Sequence, residues 1–163
     1  MDDISQKNFE AIKSSPLGNE LDDDECLALS EIVSLRCLQE DDVLIHEGTR
    51  DDSLHVITKG RFAVTHEAGG GDNVILHIHQ AGDFAGEMGF IDGLKHTASL
   101  HSLGHSEVYT LKRDDFEKLI DKHPQLVYQL MRLVVRSVHN TMARMNNQYI
   151  QLSNYISKSH GRY

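Results

Sequence analysis

The spacing of apolar residues changes near residue 34 and again near residue 113. Up to residue 33 the apolar positions recur at helical spacing. Residues 34–112 instead carry short alternating or apolar runs separated by turn residues, a pattern typical of antiparallel β structure. Helical spacing then returns. The pattern therefore predicts an N-terminal helical segment at 1–33, a β barrel at 34–112 and C-terminal helices at 113–163.

Short strands are predicted throughout the middle segment. They lie at 35–38, 43–46, 54–58, 62–66, 74–79, 97–103 and 108–111. The intervening turns are rich in glycine, which tight hairpins favour because they require positive φ. Many short strands at this spacing predict a mainly β fold, an antiparallel sandwich or jelly-roll barrel with flanking helices.

Two helices are predicted before the barrel, with an interruption from Pro16 to Leu21. The first covers residues 2–14. Its apolar side is formed by Ile4, Phe9 and Ile12. The second begins where Asp22 is followed by Glu25, which is the spacing of a capping box. Its apolar stripe consists of Cys26, Leu29, Ile32 and Val33.

The C-terminal segment predicts a short helix and then a long one. Asp114 or Asp115 is expected to cap the short helix, and Pro124 fits the first turn of the next. The long helix carries apolar residues at alternating steps of four and three, which is a heptad seam. The seam residues are Met131, Val135, Val138, Met142, Met145, Tyr149, Leu152 and Ile156. Because the barrel offers little surface to the helix beyond Asn140, we expect a homodimer through the 124–156 helix, paired as a parallel coiled coil.

Charge and composition narrow the classes of partner. The 163 residues carry a formal net charge of -9, which argues against a surface that binds DNA or membrane phosphates. The N-terminus is acidic and no apolar stretch is long enough to cross a bilayer, so we expect a cytoplasmic protein. The two cysteines, Cys26 and Cys37, are expected to be buried reduced thiols, and no cofactor is expected.

The segment from residue 82 to residue 99, here called the cassette, has the most specific chemistry. Glycines open it, and Glu87 precedes a short apolar run that can form one helical turn. The N–H groups at the start of such a turn attract an anionic oxygen, most often of a phosphate. Since a carboxylate repels phosphate, Glu87 is expected to accept a hydrogen bond from a neutral hydroxyl of the same ligand.

The cassette resembles the phosphate-binding cassette of cyclic-nucleotide-binding domains, which serve as sensors in bacterial catabolite activators, cyclic-nucleotide-gated channels and protein kinase A regulatory subunits. The matching residues are Gly82, Asp83, Gly86, Glu87, Met88, Gly89, Thr97 and Ala98. His96 stands where the family has the arginine that pairs with the cyclic phosphate. The resemblance extends over residues 17–145 and implies the family's jelly-roll barrel, which is related to the cupin barrel.

The resemblance implies a non-enzymatic regulatory module that binds a cyclic or other phosphorylated nucleotide, similar to cAMP or cGMP. The ligand-binding residues it implies are Gly86, Glu87, Met88, His96, Thr97, Ala98 and Thr141. In this arrangement the phosphate contacts the N–H groups from Gly86 to Met88 together with His96 and Thr97. Glu87 holds the ribose and Thr141 lies near the base.

The resemblance also bears on partners. Catabolite-activator relatives continue after the long helix with a winged helix-turn-helix, whereas only residues 157–163 follow it here. We therefore expect no DNA binding, and we expect a signal to reach a separate downstream protein that the sequence does not identify.

Two alternatives remain open. One is a dimeric interaction scaffold whose pocket is empty or filled by its own side chains. The other is a metal-dependent enzyme of the cupin type, because His77 and His79 share one face of a strand and lie near Asp83. No metal site and no catalytic residue is otherwise indicated.

Overall fold

The computed structural model describes residues 3–160, and within this range two four-stranded antiparallel sheets pack face to face. The strands are β1 (Val33–Leu38), β2 (Val43–Ile45), β3 (Ser53–Lys59), β4 (Arg61–Glu67), β5 (Asn73–Gln80), β6 (Phe84–Ala85), β7 (Ser99–Ser102) and β8 (Ser106–Lys112). One sheet has the order β1-β8-β3-β6 and the other the order β2-β7-β4-β5. The predicted β fold with flanking helices is confirmed.

Helices precede and follow the barrel in sequence, and one short helix lies between two of its strands. They are α1 (Asp3–Lys13), a 3₁₀ helix (Pro16–Asn19), α2 (Asp23–Ser30), α3 (Glu87–Asp92), α4 (Arg113–Glu117), α5 (Leu119–Lys122) and α6 (Pro124–His160). Asp2, the predicted first helical residue, and residues 161–163 lie outside the described residues.

The core has two parts, one on each face of the β1-β8-β3-β6 sheet. Between the two sheets lie apolar side chains that include Ile57, Phe62 and Val108, all fully buried. On the opposite face, side chains such as Leu54 pack against Leu126 and other helical residues. Because a strand turns alternate side chains to opposite faces, β3 supplies apolar residues to both parts of the core.

The start of α2 confirms the predicted capping box. The Asp22 side chain accepts a hydrogen bond from the backbone N–H of Glu25 at 2.8 Å, and the Glu25 carboxylate accepts from the N–H of Asp22 at 3.1 Å. In α1 the predicted apolar side is only partly right. Ile12 is fully buried, but Ile4 is 71% exposed, and Asn8 is buried instead, donating to the carbonyls of Ser30 and Val33.

Several predicted boundaries were wrong. Lys112, and not Asp114 or Asp115, is the N-cap of α4, because the helix begins directly after β8 and places both aspartates in its first turn. The two-residue strand β6 was not predicted, since it is too short to show alternation. The 97–103 strand begins only at Ser99, and Cys37 is exposed although it was expected to be buried.

The first part of α6, as far as Arg144, packs against the barrel and the cassette, and the remainder extends beyond them. Leu126, Leu130 and Val134 are at most 3% exposed and join the helical side of the core. At about 1.5 Å per residue, the 37 residues of α6 extend over about 55 Å. Val135, at 68%, and Tyr149, at 74%, illustrate how exposed the heptad seam is. No helix in the described part of the chain is both long and apolar enough to cross a membrane.

Candidate functional site

A cavity of about 290 Å³ lies between the β2-β7-β4-β5 sheet, the cassette and α6. We call it the cassette cavity. Its apolar walls include Ile45, Val64, Leu100, Val138 and Met142, and its polar wall residues include His77, His79, Lys95 and Ser137. All seven predicted ligand-binding residues also line it: Gly86, Glu87, Met88, His96, Thr97, Ala98 and Thr141. The fold thus brings the cassette and α6 to one site, and the ligand contacts of these residues stay predictions.

Gly86 makes the turn that opens α3. Its φ of 80° lies in the left-handed region, and a Cβ atom at this position would lie 2.8 Å from the carbonyl oxygen of Ser53. Both the backbone angle and the close approach therefore require glycine. The turn leaves the first N–H groups of α3 outside the helical hydrogen-bond pattern, so they remain able to meet a ligand oxygen.

The other end of α3 is held by Arg113. Its guanidinium donates to the carbonyl of Phe90 at 2.5 Å and to that of Gly89 at 2.6 Å. A cation at the C-terminal carbonyls complements the helix dipole. Arg113 therefore fixes the helix that presents Glu87 and Met88 to the cavity.

His96 is packed beneath α3. Its side chain is 7% exposed, and Nε2 lies 3.1 Å from Asp51 Oδ2, although the two atoms are not aligned for a hydrogen bond. The backbone N–H of His96 donates to Thr49, and its carbonyl accepts from Gly48. His96 thus ties the cassette to the turn after β2, with its nearest ionic partner in that turn.

The cation available to the cavity is Lys95, next in sequence to His96. Lys95 and Thr97 are both exposed at the cavity, and no arginine is among the lining residues that the structure describes. Sequence reasoning did not select Lys95. Its position beside the family's arginine position was the signal that could have identified it.

Asp83 joins the cassette to α6. The Asp83 carboxylate accepts from Arg144 Nη2 at 2.7 Å, from the Gln80 N–H at 2.9 Å and from His79 Nδ1 at 3.3 Å. Burial alone would raise the pKa of Asp83, but the hydrogen bonds from His79, Gln80 and Arg144 lower it below its ordinary value. Arg144 Nη2 also donates to Thr141 Oγ1 at 3.2 Å. Thr141, which was expected to lie near the base, is therefore hydrogen-bonded to the same arginine that binds Asp83.

A second hydrogen bond between α6 and the barrel lies about two helical turns before Arg144. The N–H of Phe84 donates to Ser137 Oγ at 3.0 Å, and Ser137 is 7% exposed. Two residues of α6 therefore bind two adjacent residues of the cassette. Ser137 binds Phe84 and Arg144 binds Asp83.

His77 lies at the wall of the cavity formed by β5. Its ring meets that of His79 edge to face, with centroids 4.9 Å apart. Both ring nitrogens of His77 are buried, and neither has a hydrogen-bond partner among the residues that the structure describes. Burial, together with the nearby His79 and Arg144, lowers the pKa of His77 to about 4, so the ring is neutral at pH 7.

The metal hypothesis does not match this arrangement. The Asp83 carboxylate already accepts hydrogen bonds from His79 and from the guanidinium of Arg144. Across residues 3–160, no group of three or more His, Cys, Asp or Glu side chains is placed to hold a metal ion.

Comparison with known proteins places the chain in a family. The cyclic nucleotide-binding domain matches residues 35–123. The cAMP-activated global transcriptional regulator CRP of Salmonella typhimurium is 30% identical over 105 residues, which cover 64% of this chain and 50% of the regulator. This chain therefore aligns with about half the length of that relative.

Solved structures share the fold. A cyclic nucleotide-binding domain from Methylobacillus flagellatus superposes with a TM-score of 0.75 at 20% identity, covering 90% of this chain and 83% of that one. The regulatory subunit of a cAMP-independent protein kinase A from Trypanosoma cruzi, bound to guanosine, has a TM-score of 0.62 at 21% identity, with 78% and 44% covered. The sequence match over residues 35–123 and the shared two-sheet fold establish that this chain belongs to the cyclic nucleotide-binding domain family.

Proposed function

We propose that this chain is a non-enzymatic regulatory module that binds a cyclic or other phosphorylated nucleotide in the cassette cavity and relays binding through α6. The observation that carries the proposal is that the cassette residues and α6 line one cavity. A ligand there would contact both the cassette and α6, the helix proposed to relay its binding.

The ligand phosphate is assigned to the exposed N–H groups at the start of α3, with Thr97 as a hydroxyl donor. Because His96 lies against Asp51, we assign the balancing positive charge to Lys95. A lysine provides a point charge instead of the planar fork of arginine, so phosphate affinity is expected to be lower than an arginine would give. Glu87 is assigned to a ribose hydroxyl.

The relay would use the Asp83–Arg144 ion pair. Thr141 Oγ1 accepts from Arg144, so a ligand that bonds to Thr141 changes the surroundings of the guanidinium that anchors α6. Ligand binding then shifts the equilibrium between anchored and released positions of α6, provided that the ligand prefers one of them.

The output surface is proposed to be a second copy of this chain. Six seam residues of α6 are between 36% and 74% exposed, and two of them, Val138 and Met142, also border the cassette cavity. The six are Val135, Val138, Met142, Met145, Tyr149 and Leu152. A stripe at heptad spacing on a helix of this length fits pairing with an identical helix. The downstream protein would then bind the dimer, in the cytoplasm.

An uncharged nucleoside is a second candidate ligand. Among the described residues that line the cavity there is no arginine to pair with a phosphate, and His96 lies against Asp51. The Trypanosoma cruzi structure was bound to guanosine, which shows that a protein of this fold accepts a ligand without phosphate.

Calorimetric titration of cAMP, cGMP, a cyclic dinucleotide and guanosine, at pH 6 and pH 8, tests both candidates. Lys95→Gln should weaken the phosphorylated ligands about tenfold and leave guanosine unchanged, because only the phosphate meets the charge. Lys122→Gln, at an exposed position on α5, is the matched control. Binding of guanosine alone supports the nucleoside. Failure of all four ligands contradicts both candidates and leaves the ligand-free scaffold.

A further inference from the structure

We propose that His77 selects the ligand of the cassette cavity by hydrogen-bonding the edge of a neutral heteroaromatic base. The inference rests on the proposed function, because it takes the cassette cavity as the ligand site. His77 lies on strand β5, outside the cassette, and would determine which class of ligand binds.

The His77 ring has unmet hydrogen-bonding capacity. A neutral imidazole offers one donor and one acceptor, and both nitrogens of His77 are buried without a partner among residues 3–160. Leaving such groups unpaired in a protein interior costs free energy. His77 lines the cavity, so a ligand with a complementary donor and acceptor would remove this cost.

Contacts with neighbouring side chains hold the His77 ring in place in the unliganded protein. His77 packs edge to face on His79, the His79 Nδ1 meets Asp83, and Asp83 is bound by Arg144 of α6. A positioned group loses little conformational freedom on binding, so its hydrogen bonds contribute more to affinity.

The charge of His77 and the walls of the cavity indicate the chemical class of the ligand. Because the ring is neutral and lies near the Arg144 guanidinium, it does not add the positive charge that a phosphate needs. Val64, Leu100 and Met142 supply apolar walls to the same cavity. Apolar walls and a neutral donor–acceptor pair fit a flat base with nitrogen and oxygen atoms on its edge.

The test compares His77→Phe, which keeps a planar ring and removes both nitrogens, with His77→Asn, which keeps one donor and one acceptor. His46→Phe, at an exposed histidine outside the cavity, is the control. The probes are cAMP, cGMP and guanosine, with ribose 5-phosphate as a probe without a base. Thermal unfolding of each unliganded variant monitors folding.

We expect His77→Phe to weaken each base-containing probe that the unmodified chain binds by about tenfold or more, and His77→Asn to recover part of the loss. Ribose 5-phosphate should be unaffected. Unliganded His77→Phe should unfold at a temperature no lower than the parent, because it removes two unsatisfied buried atoms.

The outcomes separate this inference from the proposed function. If the parent binds a base-containing probe and His77→Phe binds it within twofold of the parent, the His77 nitrogens do not contribute to binding, and the inference is overturned while the proposed function stands. If the parent binds none of the base-containing probes, the proposed function and the inference both fail. An equal loss of ribose 5-phosphate binding would mean a general change in the cavity and would also overturn the inference.

Discussion

Arg144 on α6 and Asp83 in the cassette form a two-point ion pair, with Nη2 2.7 Å from Oδ2 and Nη1 3.4 Å from Oδ1. Asp83 is 5% exposed, so the carboxylate depends on its partners for solvation. The pair connects residues 61 positions apart in the chain. It joins the cassette to the long helix α6.

Removing this pair should loosen α6. Arg144→Gln should lower the free energy of unfolding by about 2 kcal/mol, because it leaves a buried carboxylate without its cation. Hydrogen exchange should also accelerate in α6 after residue 137. Arg132→Gln, at an exposed position on the same helix, should change neither quantity.

The pair also predicts how acid acts on α6. The folded pKa of Asp83 lies below its unfolded value, so the stabilisation is complete above about pH 4 and is lost as the pH falls through the folded pKa. A double-mutant cycle of Arg144→Gln with Asp83→Asn should therefore show a coupling at pH 7 that disappears at low pH. Equal hydrogen exchange in α6 of the parent and Arg144→Gln would contradict the anchoring role.

His55 should make the protein sensitive to mild acid. This histidine is 2% exposed between the sheets, and burial lowers its pKa to about 4. Between pH 6.5 and pH 4 the unfolded chain binds a proton that the folded chain does not, so stability falls as the pH decreases through this range. The slope should approach about 1.4 kcal/mol per pH unit for this one group.

Urea unfolding of His55→Asn between pH 7.5 and pH 5 tests the assignment. Asparagine can keep a contact with Thr110, whose hydroxyl lies 3.0 Å from His55 Nδ1, but it does not titrate. The variant should show a shallower slope than the parent, while exposed His139→Asn should retain the parental slope. An unchanged slope in His55→Asn would assign the acid sensitivity to other groups.

Gly86 should tolerate alanine less well than Gly70 does. Both have positive φ, so each substitution should cost about 1–2 kcal/mol in backbone strain. Alanine at residue 86 also meets the Ser53 carbonyl, whereas the space around Gly70 is open, so Gly86→Ala should lose an additional 1–3 kcal/mol or so. Denaturant unfolding of the two variants measures this difference directly, and similar losses would contradict the close contact.

Arginine at residue 96, where the family has its phosphate-binding arginine, should favour phosphorylated ligands. His96→Arg should tighten cAMP binding by about tenfold to a hundredfold, because a charge-assisted pair replaces a side chain held against Asp51. Guanosine binding should not change, and the thermal unfolding midpoint checks that the buried site accepts the larger side chain. A folded variant without improved cAMP affinity would contradict the assignment of residues 86–97 to phosphate.

The exposed seam of α6 should control self-association. Val135→Glu combined with Tyr149→Glu should convert a dimer to a monomer in sedimentation experiments, because the charges would be buried between paired helices. Asn147→Glu, an exposed position off the seam, should leave the oligomeric state unchanged. A monomeric parent at all concentrations would contradict the dimer proposal.

Local pattern was sufficient for much of this fold. Alternation predicted the seven longer strands to within a few residues, and the Asp22–Glu25 spacing predicted a capping box with both bonds present. It failed where the signal was short or ambiguous. Strand β6 has two residues, and the acidic pair after β8 lies inside the helix that it was expected to cap.

The cassette motif by itself determined the family and the turn at Gly86. Only the tertiary structure decided what His96, His77 and Asp83 face, because their partners lie on other elements. Asp51 is 45 positions from His96, and Arg144 reaches Asp83 from the far end of the chain. Local spacing determines which backbone forms, whereas the direction and partners of a buried polar side chain depend on which distant element packs against it.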